Sequence, residues 1–519
     1  MAALAITGVE LVGHLVATGT LAPTPAYRAA IVTGQLPVSV DPLVDSDDPA
    51  VSAITPLLYR CLLQLNGTTA YPAPDLASAY TVSTDGLDYT LTLRSGLRWS
   101  NGKPITAQDV LATLRWVQSS GFPDATLGAT WMGVAASASG DSLVLTVSTP
   151  RASLAADLTE LPILPLGSMS QAQIDGLAAD PASPLPTSGP YQVASQRKGL
   201  ITLTANPHAA TKPRLGRIAI QAVTSFSTAA QDFRAGTVQA VLATTPAQQA
   251  QLMHRHGAVA RGVLTFGFVD LIFNEQTAGL SSSVVRHAIA DAIDRDAIVS
   301  GPLDGQGAGQ YGPIPAGMLW LQDEQPALPA DPAAAASGLD AAGWLINADG
   351  TREDGGTLLH YTLSVPDAAP LPEVADMVAD QLAGVGITLT VQVTPAASFL
   401  SGVLLSGQYQ MAIASWDAGP DPDLTAFWGS TSTPPDGYNV SGGEPDPFLD
   451  QDLSTLATVS GLTERTAAAA QVVAVMDQDL PAVFLYGPGE SLVVESADLS
   501  NIVVPTAGQP FADAAVWQR

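Results

Sequence analysis

Cysteine is almost absent: the chain of 519 residues carries one, Cys61. A single thiol closes no intramolecular disulfide and builds no multi-cysteine metal site. Cys61 lies in the apolar run Pro56-Leu-Leu-Tyr59-Arg-Cys61-Leu-Leu, which reads as helix, so a buried inert thiol is expected rather than a nucleophile. Positive charge is scarce as well. Twenty Lys and Arg stand against 48 Asp and Glu, giving a formal net charge of −28, and only Lys103, Lys198 and Lys212 are lysines. Such a surface repels phosphate, which argues against nucleic acid and anionic lipid headgroups as partners. It is compatible with cationic or zwitterionic solutes, and it also serves plain solubility.

Catalytic templates are missing too. There is no phosphate-binding Gly-x-x-x-x-Gly-Lys-Ser/Thr loop, no Gly-x-Ser-x-Gly elbow and no His-Glu-x-x-His helix. Ser195-Gln-Arg-Lys198 fits Ser-x-x-Lys, but it falls in an expected hairpin tip and lacks its companion motifs. With six histidines in all, the pair His254 and His256 is read as a cationic helix end rather than a metal site. No metal and no cofactor are expected.

What the chain does have is apolar residues, 46% of the total, with only 13% charged. At this length two or three domains are expected. Residues 3–20 are mostly apolar, but no Lys or Arg precedes them and Glu10 and His14 interrupt the run. Residues 1–27 therefore read as a leader, a disordered segment or a first helix, with neither a clean signal peptide nor a clean membrane span.

The most informative stretch runs from Leu76 to Val110. Asp85-Gly86 is a tight-turn dipeptide, because Gly adopts positive φ freely and Asp bonds its own backbone. Tyr89, Leu91 and Leu93 alternate with Thr90, Thr92 and Arg94, the period of a half-buried strand. After a second turn at Asn101-Gly102, Thr106 stands as an N-cap with Asp109 in the first helical turn.

The order of these parts resembles the run that opens the second subdomain in family 5 of the extracytoplasmic solute-binding proteins, the peptide- and oligopeptide-binding class of ABC importers. Further elements match in order. Val40-Asp41-Pro42-Leu43 resembles the family's early "N/D-P-L", and Thr187-Ser-Gly189-Pro190-Tyr191-Gln-Val193 its "G-T-G-P-Y-x-V", whose glycine is expected to let the chain turn sharply. Phe266 to Asn274 resembles a hinge strand, and Val284 to Arg295 a core helix followed by "D-R". Leu339 to Trp344 with Asp349 to Arg352 resembles "L-x-x-A-G-w … D-G-x-R". The resemblance spans about residues 28–517.

It implies an α/β, periplasmic-binding-protein-like two-lobed fold of the cluster C type. The first lobe would carry an extra small subdomain, the sheets would be mixed, and two crossover strands would form the hinge. The expected division is 28–70 for the first part of lobe I, 71–182 for the extra subdomain and 183–265 for the rest of lobe I. Lobe II follows at 266–486, and 487–519 returns to lobe I.

The expected function is binding, not catalysis: a monomer outside the cytoplasmic membrane takes a peptide or other amine-bearing solute and hands it to a membrane permease. A secreted acid hydrolase using Asp421 and Asp423, or a sensor or scaffold built on the same fold, are the alternatives. Carboxylates at i and i+2 of an extended chain sit too far apart to share a proton, which disfavours the hydrolase.

The candidate site is Ala414-Ser415-Trp416-Asp417-Ala-Gly419-Pro420-Asp421-Pro422-Asp423, where an apolar strand ends in an aromatic, carboxylates, glycine and prolines. Strand ends are where open α/β sheets present ligand-facing groups. The resemblance implies a carboxylate here for a peptide α-ammonium; Asp417 and Asp421 are both eligible, and Asp417 is preferred. Dipeptide-binding relatives carry a carboxylate-binding arginine after the strand matching His360–Val365, and this chain has Val365-Pro-Asp367-Ala-Ala there. A longer peptide or a non-peptide amine is therefore favoured. Further lining candidates are Asp45 and Asp47 before the first helix, expected to span Ala50 to Leu65, together with Phe268, Tyr311, Tyr438, Asn439 and Tyr486.

Overall fold

The computed structural model describes residues 27–34, 40–44, 48–177, 184–197, 199–325, 327–495, 500–502, 504 and 509–518. Asp45 and Asp47 lie outside the described residues. The first strand, Tyr27–Val32, is parallel to both Arg217–Val223 and Ala240–Ala243. Two antiparallel neighbours, Leu200–Ala205 and Tyr191–Arg197, extend that side of the sheet. The same sheet runs on without a break into a second half. There Gly267–Phe273 is antiparallel to Met411–Asp417, which is parallel to His360–Pro366, itself parallel to Thr388–Thr394.

One element joins the halves. The strand Ala482–Glu495 pairs through its start with Gly267–Phe273 and through its end with Ala240–Ala243 and Ala258–Leu264. The chain thus crosses between lobes twice, at Thr265-Phe266 and at Gly487-Pro488-Gly489. The crossings are tied together: Thr265 donates to the Pro488 carbonyl through its amide at 2.9 Å and its hydroxyl at 3.0 Å. The fold is the expected two-lobed one with mixed sheets and a hinge of two crossover strands.

Alternation decides which side each strand residue serves. Gly267–Phe273 is buried throughout, as expected of a strand covered on both faces. Val269, Leu271 and Phe273 face one lobe II core, and Phe268 and Ile272 face the other. The lobe I core joins the helix Pro49–Leu58 to a separate four-stranded antiparallel sheet and to the chain's far end. There Trp517 is fully buried edge-on to Tyr27, with ring centroids 6.0 Å apart.

The separate sheet orders Ala77–Val82, Asp88–Leu93, Ser142–Thr146 and Ala135–Ser139. Its hairpin turns at Gly86 with φ +73°. The helix Ala107–Val117 starts as its sequence implies, with the Thr106 amide donating to Asp109 Oδ2 at 2.9 Å.

Two expectations are corrected. The first helix stops at Leu58, not Leu65, and Leu63–Leu65 is a strand paired with Pro72–Pro74. The residues past Tyr59 find partners elsewhere: the Arg60 amide donates to Ser188 Oγ at 2.9 Å and its carbonyl accepts from Ile163 at 3.0 Å. Tertiary partners here outcompete local helix preference. Gly189 is required for approach rather than for turning, since a Cβ there would sit 2.6 Å from the Leu57 carbonyl oxygen. Among the described residues no helix is long and apolar enough to cross a membrane.

Candidate ligand cleft between the lobes

The strand Met411–Asp417 delivers the candidate site. Met411 and Ile413 serve one core, Ala412 and Ala414 the other, and Trp416 continues the second face. Ser415 and Asp417, on the first face, have outrun their core and are exposed. The loop that follows is braced by its own carboxylates: Asp417 Oδ1 accepts from the Gly419 amide at 3.0 Å, Asp421 Oδ1 from Asp423 at 3.0 Å, and Asp423 Oδ1 from Thr425 at 3.0 Å. Such Asx bonds hold a non-repetitive backbone in one shape.

Asp417 opens on a cavity of about 940 Å³, the larger of two described. Its walls come from both lobes and the hinge: Tyr59, Arg60 and Glu160 from lobe I, Thr265 and Phe266 from the first crossing, and Asp417, Gly419 and Pro420 from lobe II. A space of this size exceeds a drug-sized pocket's lower range several-fold and suits an extended solute.

The structure separates the two eligible aspartates. Asp421 is buried and bound bidentately by Arg465, with Nη1–Oδ2 at 2.6 Å and Nη2–Oδ1 at 2.8 Å. Among the described residues Asp417 has no ion-pair partner, so its carboxylate remains available to the cleft.

The other candidates scatter. Phe268 and Tyr486 are core residues, 0% and 3% exposed, because both alternate inward on strands covered on each face. Phe268 supports the site from beneath, its ring edge-on to Phe427 at 5.6 Å, while Phe427 packs against Trp416 at 5.6 Å and Tyr438 at 5.8 Å. Asn439 is engaged with the Trp428 and Gly429 carbonyls at 3.2 and 3.1 Å and lines the smaller cavity of about 320 Å³. Tyr311 lies over the Arg295 guanidinium, 5.0 Å from ring centroid to carbon.

Three groups escape the sequence reading. Asp270, fully buried on the hinge strand, accepts from the Trp416 indole N–H at 3.1 Å through Oδ1, and its Oδ2 has no hydrogen-bond partner in the described structure. Burial pushes its carboxyl well above the ordinary range, only partly offset by the indole. Glu160 ends the helix Leu154–Glu160 on the cleft wall, with its side chain exposed to the cleft. Desolvation by the surrounding walls, then Asp157, then Asp417, push its carboxyl up to about 7. Arg60 reaches the cleft but is held by Asp75 at 2.8 Å and Gln64 at 2.6 Å. A carboxylate inside an apolar strand signals Asp270 in the sequence, whereas nothing local marks Glu160 or Arg60.

A two-lobed fold with a hinge and a cavity between lobes defines a solute-binding protein. The family model for bacterial extracellular solute-binding proteins, family 5, matches residues 71–438, and the chain belongs to that family. The oligopeptide-binding protein AppA of Bacillus subtilis is 24% identical over 91% of this chain and 88% of its own length. Protein XP55 of Streptomyces lividans is 29% identical over 56% of this chain, and the match spans only about half (54%) of that protein. The crystal structure of an ABC transporter substrate-binding protein from Sinorhizobium meliloti superposes with a TM-score of 0.80 at 21% identity, covering 94% of this chain and 99% of that one. The family's members are extracellular binding components of transporters.

Proposed function

We propose that this protein is the extracytoplasmic receptor of an ABC importer and takes a peptide or related amine-bearing solute into the cleft between its lobes. The observation that carries the reading is an interlobe cavity of about 940 Å³ onto which the unpaired carboxylate of Asp417 opens. A carboxylate so placed pairs with an ammonium, and aromatic and backbone walls accept varied side chains, directly or through water. AppA of Bacillus subtilis has been solved in complex with a nonapeptide, which supports a long rather than a dipeptide ligand, in keeping with the missing arginine after Val365.

The reading assigns lobe I to residues 28–70 and 183–265, its extra subdomain to 71–182, lobe II to 266–486 and the return to 487–519. The protein works as a monomer with a membrane permease and performs no catalysis. Asp421 and Asp423, the pair a hydrolase would need, are engaged by Arg465 and Thr425, which favours binding. Native mass spectrometry of protein purified without refolding tests this directly. A retained peptide or amine, with no turnover of a peptide panel, is the expected result; turnover by the pure protein would overturn it.

A further inference from the structure

The helix Leu154–Glu160 of lobe I begins beside a bonded seam between the lobes and ends at the cavity that Asp417 lines from lobe II. The Ala152 amide donates to the Ala457 carbonyl at 2.9 Å, and Arg465, while holding Asp421, reaches the Ala152 carbonyl at 3.4 Å. The two lobes thus touch through protein groups alone beside this helix. At the helix's other end Glu160 lines the same cavity as Asp417, the one from lobe I and the other from lobe II, and the Asp417 charge adds to the upward push on its carboxyl.

Among the described residues Glu160 has no ion-pair partner, although Arg94 and Arg98 line the same cavity. Of the groups facing it, Asp157 is ion-paired with Arg151, and Arg60 is committed to Asp75. The neighbouring Cys61 thiol is held neutral by burial. The strands packed against the helix, Leu63–Leu65 and Pro72–Pro74, carry no charge of their own. A last-turn carboxylate also meets the helix's outward carbonyls, where negative charge is disfavoured. Glu160 is therefore available to a cation in the cleft.

We propose that Glu160 and Asp417 form a split carboxylate pair, one from each lobe, which takes the positively charged group of the solute between them. The inference rests on the receptor reading above and extends it. With the cleft empty, two like charges face each other across it and oppose closure. A solute ammonium or guanidinium converts that repulsion into two attractions available only when the lobes are closed, the differential contact that a ligand-driven closure requires. A solute whose amine is blocked provides no such switch. A proton on Glu160 relieves the repulsion without a ligand, so acid favours the closed empty form while weakening cation binding.

Two measurements on the full chain test this. Nitroxide labels at S137C and L345C, on a C61A background, report the distance between lobes by pulsed electron resonance. Empty protein is expected to be more open at about pH 8 than at about pH 5.5, with E160Q closed-shifted at both and most of the pH dependence gone. Identical distances in both proteins at both pH values would overturn the proposal. Calorimetry then compares tetra-alanine with N-acetyl tetra-alanine. Wild type should prefer the free amine, and E160Q should lose about tenfold in its affinity and much of that preference. Unchanged affinity in E160Q overturns the role of Glu160 while leaving the receptor reading standing. Failure of wild type to bind either peptide counts against peptide as the solute, and the distance measurement still decides Glu160.

Discussion

Asp417 and Asp421 show how two identical side chains four positions apart acquire different roles. Arg465 consumes Asp421 with a bidentate pair, whereas Asp417 keeps its charge facing open space. Replacing Asp417 with alanine should therefore cost a peptide ligand about 2–5 kcal/mol, at least tenfold in Kd, because the ligand's ammonium is left unpaired in the closed cleft. The melting temperature of the empty protein should hardly move. Isothermal calorimetry and a thermal scan check the two halves of that expectation, and an unchanged Kd would remove Asp417 from the site. Asp270 makes the opposite case. Its folded-state pKa is raised by burial, so the folded protein holds a proton that the unfolded chain releases above about pH 4. Stability from this residue is therefore present at low pH and lost as pH rises, by up to about 1.4 kcal/mol per unit until the folded pKa is reached. Asp270→Asn keeps an acceptor for the Trp416 indole and carries no charge. It should be more stable than wild type at neutral pH, and the difference should close toward pH 4 in urea titrations.

At the scale of elements, the helix Leu462–Asp479 does more than cover a sheet. Its Arg465 is 5% exposed, and the guanidinium joins the loop after Asp417 to Ala152 of lobe I. Removing one partner of a buried ion pair strands the other, which typically costs about 3–5 kcal/mol. Arg465→Met should destabilise the fold by that order in chemical denaturation and loosen the Asp417 loop, while Arg465→Met with Asp421→Leu should recover most of the loss. A double variant as unstable as the single would mean the charges themselves are needed. The legibility of these elements follows their locality. The Gly86 hairpin, the Thr106 cap and the core helix Ser283–Ala292 are readable because each is set by its own few residues and a fixed period. The first helix ends well short of what its apolar run suggests, since its end depends on Ser188 and Ile163, far along the chain. The site divides in the same way. The strand end at Asp417 carries a local signal of aromatic, carboxylate, glycine and proline. Phe268 and Tyr486 cannot be told from lining residues until a second covered face is visible, and Glu160 matters only because folding brings it opposite Asp417.

For the molecule as a whole, the question is whether a net charge of −28 serves only solubility or also guides the ligand. The two differ in what salt does. A field summed over the whole surface raises the encounter rate of a cation and is screened within a Debye length of about 10 Å at 0.1 M salt. Contacts inside the closed cleft are screened much less, because water and ions are excluded there. Steering therefore predicts that the association rate of a peptide with lysine at its first position falls severalfold between about 10 mM and 200 mM NaCl, with its dissociation rate nearly constant. An otherwise equal peptide with alanine at that position should show a much flatter association rate. Stopped-flow fluorescence can follow both, since Trp416 borders the Asp417 loop and its indole reports local change. If both association rates ignore salt, the acidity does not steer ligand, and its contribution lies in keeping the carrier soluble and off anionic headgroups. If both fall alike, the field acts on size or shape of the encounter and not on the ligand's charge, which would also count against a cation site at Asp417. A fall confined to the lysine peptide would place surface and cleft in one electrostatic gradient, from distant acidic side chains down to the two carboxylates that face each other between the lobes.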